Sequence, residues 1–447
     1  MFRTKLSVLR PTVLPNYRPL FMHLDMNSYF ASVEQQANPL LRGKALGVCA
    51  YLHEYGCIIA ASIEAKARGM KVGMRVKEAR QLIPDAVFVQ NDPAKYRTVT
   101  SQVFAILHDL SDRVEHYSID EAFLDCTGWM RDEAEAAWMA VKTRERIRRE
   151  VGEWLRCSIG IAPTRFLAKL ASDREKPSGL TIITLENLDS ILLGMSLQDV
   201  YGIGRRMKKR IDALGYHTPL ELKRAPVANL MQAFGIEGYL LWARLNGIQA
   251  DALASNDAPP KSIGHSYCLP MRVNREGRVR ATLVKLAERA ARRLRRQNLY
   301  AKSVLVSIAF RDSTASYAPS PFGPPTDGVY QHRFDEPVND SYALVHAVLK
   351  LFDDLWDGHR AISFLAVTYT EFTPPSHQMH LCLFRPTTYN LRPTNSGLSF
   401  ALDVVNDRYG DHSVIFGSMF GITKDEAPDR IGFRKTDGVD ITNFSLG

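Results

Sequence analysis

The stretch Tyr117-Ser118-Ile119-Asp120-Glu121-Ala122-Phe123-Leu124-Asp125 sets two adjacent acids between the strand-like runs Val114 to Ile119 and Ala122 to Leu124. An earlier apolar run, Phe21-Met22-His23-Leu24, ends in Asp25. Carboxylates at strand ends have rigid support, and hard divalent cations take oxygen ligands. Taken alone, an Asp-Glu pair is more often a solvated turn. Neighbours on a regular strand also point to opposite faces. Asp120 and Glu121 therefore serve one site only where the chain turns or bulges.

Outward from these runs, short apolar stretches alternate with helical patterns. Leu46 to Ala50, Cys57 to Ala61 and Cys157 to Ile161 read as strands. Asp92 and Pro93 are an N-cap and first-turn pair for a helix reaching about Leu110. A highly charged helix spans Arg131 to Val151. This mixture implies an α+β domain with helices packed on a sheet. Near residue 200 the texture changes to helices joined by glycine turns, as in Val200-Tyr201-Gly202-Ile203-Gly204-Arg205-Arg206, and it continues to about Gly247. Residues 250–261 read as a linker. Then come a strand (262–268), helix (277–297), strands (302–311 and 328–334), helix (340–356) and strand (360–370). That order is the split β-α-β pattern, with Ser313 to Gly328 as a loop and 373–447 as a weakly patterned tail.

At 447 residues the chain is too long for one core, so several domains are expected. A net charge of +9 favours polyanionic partners, although a surplus of this size also serves solubility. The six cysteines form no C-x-x-C pair, which argues against structural zinc and suits reduced thiols in a cytoplasmic protein. No apolar run reaches a membrane span. Residues 1–20 are basic and broken by Pro11 and Pro15, lack the apolar stretch of a signal peptide, and read as a leading arm.

Asp25-Met26-Asn27-Ser28-Tyr29-Phe30-Ala31-Ser32-Val33-Glu34 and Tyr117 to Asp125 resemble, in order and spacing, the two long motifs of Y-family DNA polymerases. The resemblance covers roughly residues 20–420. It implies an α+β multidomain right-hand fold. The parts would be a ferredoxin-like palm (21–36 and 86–184), small fingers (37–85), a helical thumb with a helix-hairpin-helix (185–250), a linker (251–261) and a split-βαβ little finger (262–372). In detail it is most similar to the UmuC type, the catalytic subunit of bacterial polymerase V. Cys57-Ile58-Ile59-Ala60, Glu64-Ala65-Lys66-Ala67-Arg68-Gly69 and the Gly202-to-Gly215 segment carry that likeness.

The resemblance implies error-prone, template-directed translesion synthesis in the DNA damage response. Asp25, Asp120 and Glu121, with the Met26 carbonyl, would hold two Mg²⁺, for which Mn²⁺ can substitute. Phe30 would be the steric gate against a 2′-hydroxyl, with Tyr29 beside it. Lys176 and Lys66 would contact the triphosphate of the incoming deoxynucleotide. Where many members carry Tyr and Arg in the fingers, this chain has Ile63 and Lys66, and a lysine lacks the bidentate fork.

Primer-template DNA would meet Gly202, Gly204 and Arg205 in the thumb. It would also meet Lys261, Arg292 and Arg296 in a stretch, 261–311, whose only acids are Glu276 and Glu288. The peptide His380-Leu381-Cys382-Leu383-Phe384 resembles a sliding-clamp hook with His in place of the usual Gln; it reads equally as a last strand. A UmuD-like dimer and a RecA filament are partners of the UmuC type. Two other readings stand beside the enzyme. One is a non-catalytic adaptor bridging DNA and the clamp, which retention of the three carboxylates opposes. The other is a simple DNA-binding module, which leaves both motifs unexplained.

Overall fold

The computed structural model describes residues 19–256, 259–273, 276–310, 328–374, 396–410 and 413–420, with 422 and 427. Residues 1–18 of the expected arm, most of the 313–328 loop and the whole His380–Phe384 peptide lie outside the described residues. The chain divides into two compact units between residues 258 and 259.

The first unit begins with β1 (Phe21–Met26), α1 (Tyr29–Ala37), β2 (Leu46–Cys49), β3 (Ile58–Ala61), α2 (Ile63–Ala67), α3 (Val76–Leu82), β4 (Val87–Gln90) and α4 (Pro93–His108). It continues with β5 (Val114–His116), β6 (Glu121–Asp125), α5 (Glu133–Arg146), β7 (Cys157–Ala162), α6 (Arg165–Arg174) and β8 (Leu180–Ile182). It ends in α7 (Leu188–Leu193), α8 (Arg205–Asp212), α9 (Pro219–Arg224), α10 (Val227–Phe234) and α11 (Ile236–Leu245).

Five strands form one sheet in the order β5-β6-β1-β7-β8, so β1 is central and all six of its residues are buried. The strand period of two splits its side chains. Met22, Leu24 and Met26 join a core with Phe104 and Leu107 of α4 and Ala136 and Ala140 of α5. Phe21 joins a second core with Phe166 and Leu170 of α6 and with Leu192, Leu222, Leu230 and Leu245 of the helical segment. His23 and Asp25 share the face of Phe21, toward α6. A smaller sheet, β3-β2-β4, has its own core of Ile58, Ala61, Ala65, Met70, Ala79 and Ile83. Its strand β4 lies just past residue 85, where the fingers were expected to end.

The runs at 114–119 and 122–124 are not one extended strand. They fold back as a hairpin in which Glu115 pairs with Phe123 and His116 with Ala122. Ser118 Oγ donates to Asp120 Oδ1 (2.6 Å) and accepts from Asp120 N (3.3 Å), a local side-chain bond that favours a turn. The amides of Tyr117 and Ser118 both donate to the Glu121 carbonyl at 3.1 Å.

The second unit comprises β9 (Ser262–Val273), α12 (Glu276–Arg296), β10 (Tyr300–Phe310), β11 (Gly328–Val338), α13 (Ser341–Leu355), β12 (Ile362–Thr373) and α14 (Ser396–Tyr409). Its sheet order is β11-β10-β12-β9, all antiparallel neighbours. Strand β12 thus lies between β9 and β10, which α12 connects, and this is the split arrangement expected from the element order. Helices α12 and α13 pack on each other and on the sheet.

The stretch expected as a tail contributes α14, held mainly by polar contacts. Arg295 forms a two-pronged pair with Asp403 (2.6 and 2.8 Å) and donates to Ser341 Oγ at 2.7 Å. Ser399 Oγ donates to Asp340 at 2.9 Å. The Arg295 side chain is only 6% exposed and also meets Glu288 at 3.1 Å, so loss of Asp403 leaves a desolvated charge with one weaker acidic partner. Asp403→Ala should therefore cost the second unit about 3 kcal/mol in urea unfolding. Arg131→Ala, which breaks only the exposed pair with Glu135 in the first unit, should leave urea unfolding nearly unchanged.

Candidate active site

Strand β1 carries Asp25 to the end of the sheet, where it stands directly across from Glu121, the first residue of β6. Asp120 is not on the strand but in the preceding turn, and the Met26 amide donates to its carbonyl at 2.9 Å. The turn takes Asp120 out of the alternation of strand faces that applies to Glu121. Asp25 and Asp120 line one cavity of about 460 Å³, together with Met26, Tyr29, Phe30, Lys66 and Lys176. The Glu121 carboxylate is turned to Lys169 of α6 and lies 3.3 Å from His23 Nε2.

The charges are uneven. Burial raises Asp25 to about 6, against the opposing pull of Lys176, and the nearby acids Glu121 and Asp120 push the same way. Burial also raises Asp120, although its hydrogen bond with Ser118 opposes this. Burial pushes Glu121 upward too, but His23 and Lys169 outweigh it and hold this carboxyl at about 2. His23 itself is lowered, chiefly by burial. Lys176 Nζ lies 2.9 Å from Asp25 Oδ2 and 2.7 Å from Asp173 Oδ1; burial opposes its charge, and these two acids raise it above the usual lysine range.

Among the described residues, no three His, Cys, Asp or Glu side chains already form a metal cage. The donor set nevertheless fits hard divalent cations. It offers carboxylate oxygens on Asp25 and Asp120, two acids that burial pushes above their ordinary range. Glu121, bonded to Lys169, does not line the cavity.

Phe30 is buried and stacks on Tyr96, with ring centroids 4.5 Å apart, so its ring is braced from behind. The Tyr29 hydroxyl is occupied, donating to the Tyr96 carbonyl (2.8 Å) and sharing a bond with Thr100 (2.7 Å). Lys66 stands on α2, whose cap Ser62 accepts from Ala65 N at 3.2 Å; burial and Lys176 lower its pKa. Ile63 lines the same cavity.

Three contributors escaped the sequence reading. Lys169 is a 7%-exposed cation on the buried face of α6, and a lysine among Phe166, Leu167 and Leu170 was the available signal. Asn27 accepts from Ser178 N at 2.7 Å and donates to Ser158 Oγ at 3.1 Å, tying β1 to β7 and to the Lys176 loop. Asp173 steadies Lys176.

The expected DNA contacts are divided between the units. Gly202 has φ of 92°, Gly204 is the N-cap of α8 and Arg205 its first residue. Lys261 is exposed beside β9. Arg292 and Arg296 both pair with Asp407 at 2.5 Å, and Arg292 is only 14% exposed. Arg280 similarly meets Asp353, besides Glu276 of its own helix. The one-sided charge of 261–311 is thus partly cancelled by acids outside that stretch.

Residues 24–173 match the impB/mucB/samB family, and residues 260–381 match the impB/mucB/samB family C-terminal domain. A protein named DNA polymerase IV from Pelotomaculum thermopropionicum is 30% identical over 396 residues, covering 88% of this chain and 93% of the relative. DNA polymerase IV 2 of Bacillus subtilis is 30% identical over 398 residues, covering 88% and 92%. Among solved structures, a Y-family DNA polymerase chimera of Dbh and Dpo4 superposes with a TM-score of 0.67 at 22% identity, over 80% of this chain and all of that one. The mixed α/β architecture is therefore the Y-family polymerase fold. Similarity sustained over nearly the whole of its relatives, and matched in both halves, shows that this chain belongs to the Y family of DNA polymerases.

Proposed function

We propose that this chain, a DNA-directed DNA polymerase by family, performs error-prone translesion synthesis by two-metal-ion nucleotidyl transfer. The observation that carries the reading is the antiparallel register that sets Asp25 opposite Glu121, with Asp120 in the adjoining turn. Asp25, Asp120 and Glu121, with the Met26 carbonyl, would hold two Mg²⁺ or Mn²⁺. When bound, such ions activate a primer 3′-hydroxyl and offset charge on the departing pyrophosphate.

The protein's own groups do the rest. Lys176 and Lys66 line the same cavity and supply positive charge to a triphosphate. Phe30, braced by Tyr96, puts a flat ring where a 2′-hydroxyl would collide. Lys169 keeps Glu121 ionised until it turns inward. We assign β1 and β5–β8 with α4–α6 to the palm, β2–β4 with α2 and α3 to the fingers, α7–α11 to the thumb and β9–β12 with α12 and α13 to the little finger. Primer-template DNA and deoxynucleoside triphosphates are the substrates this reading requires. Gly202, Gly204, Arg205, Lys261 and the exposed Arg296 are its phosphate contacts, with Arg292 in support.

The relatives' names favour a polymerase IV-like enzyme, whereas the UmuC likeness rests on Cys57–Ala60, Glu64–Gly69 and the Gly202–Gly215 segment. Extension by the purified chain across an abasic site, with no added partner, supports the first; strict dependence on a UmuD-like dimer and a RecA filament supports the second. Clamp binding through His380, Leu381, Leu383 and Phe384, a damage-response role and a cytoplasmic location belong to the same proposal. No helix among the described residues is long and apolar enough to cross a membrane. An adaptor role is disfavoured by the intact carboxylates.

Asp120→Ala should lower Mg²⁺-dependent primer extension by about a hundredfold or more while leaving DNA binding, read by fluorescence anisotropy, within about twofold. Normal extension would refute the site. Phe30→Ala should reduce discrimination against ribonucleotides by about tenfold or more in single-nucleotide incorporation, because the excluding ring is gone.

A further inference from the structure

A second cavity, of about 480 Å³, lies beside the first and is lined by Arg42, Arg144, Arg148 and Arg156 with Trp154 and Ser178. Only one lining carboxylate, Glu153, accompanies the four guanidiniums, and it pairs with Arg42 at 2.7 Å. Among the described residues, Arg144, Arg148 and Arg156 form no ion pair with an acid. Several cations converging without acids on one space leave a standing positive potential.

The walls are fixed. Trp154 donates from its amide to Gln36 (2.8 Å) and from Nε1 to Gln35 (3.1 Å), both on α1. Arg42 and Arg156 lie over its ring, 5.3 and 5.6 Å from the centroid. Arg144 Nη2 donates to the Gly179 carbonyl at 2.8 Å. Arg144 and Arg148 are four residues apart on consecutive helical turns and so share a face.

We propose that this cavity is a second phosphate site, one that takes a compact diphosphate or triphosphate group. Guanidiniums grip phosphate through forked, charge-assisted bonds. The Trp154 ring already carries two guanidiniums, so it offers no free platform for stacking a base. The cations gather in one pocket rather than along a track, which suits a short polyphosphate better than a nucleic-acid backbone. The cavity also adjoins the candidate active site. Ser178 lines it while Lys176 and Pro177 line the other, and Asn27 bonds both Ser178 N and the Arg156 carbonyl. An anion held here sits against the loop that carries Lys176. The link to substrate or product phosphates rests on the proposed function; the binding site itself does not.

The test is calorimetric titration of the full chain with inorganic pyrophosphate in EDTA, where no divalent cation supports binding at the carboxylates. Wild type should bind, and Arg148→Ala/Arg156→Ala, two exposed positions, should weaken binding about tenfold or more. Lys176→Ala should stay within about twofold. Competition identifies the source of the phosphate. Displacement by deoxythymidine triphosphate but not thymidine supports a nucleotide-borne group, and displacement by neither supports free pyrophosphate. The proposal is overturned by absence of wild-type binding, by an unaffected double variant, by a loss confined to Lys176→Ala, or by displacement with unphosphorylated oligothymidine.

Discussion

Like charges set directly opposite each other across an antiparallel strand pair repel, and Asp25 and Glu121 occupy such a position at the buried end of the main sheet. The first unit is arranged around that conflict. Lys169 comes from α6 to hold Glu121, and Lys176 comes from the loop after α6 to hold Asp25. The two acids are thereby kept apart electrically while remaining neighbours in space. Asp120 adds a third carboxylate from the hairpin turn, with Ser118 offsetting part of its desolvation.

The scaffold follows from the same constraint. β1 carries apolar residues on both faces, so that Met22 and Leu24 seal one against α4 and α5, while Phe21 seals the other against α6. Asp25 and His23 then fall on the α6 side, where the cations are. Asn27 closes the end of the sheet by bonding Ser158, Ser178 and the Arg156 carbonyl. The Lys176 loop is therefore fastened to the strand that bears the acid it serves. Ammonium groups thus hold both carboxylates in the resting protein.

Much of this was legible in the residues. The split β-α-β order emerged because its strands and helices have clean periods, and the cap at Asp92 with Pro93 marked α4 within a few residues. The hairpin at 114–125 was not legible, since an apolar run has the same period whether it continues or folds back. The fold-back is marked by the Ser118 side-chain bonds and by the amides of Tyr117 and Ser118 on the Glu121 carbonyl. Helix α14 was missed because Asp403 and Ser399 anchor it through polar contacts rather than an apolar stripe. Lys169 looked like one more helical lysine until the fold placed it against Glu121. Arg292 and Arg296 looked unopposed because their partner, Asp407, lies more than a hundred residues onward.

The most direct measurement is anomalous diffraction from crystals of the chain grown with primer-template DNA, an incoming deoxynucleotide and Mn²⁺. The account predicts manganese between the carboxylates of Asp25, Asp120 and Glu121, with Glu121 rotated off Lys169. Manganese bound elsewhere, while Glu121 still holds Lys169 beside a seated nucleotide, would contradict it.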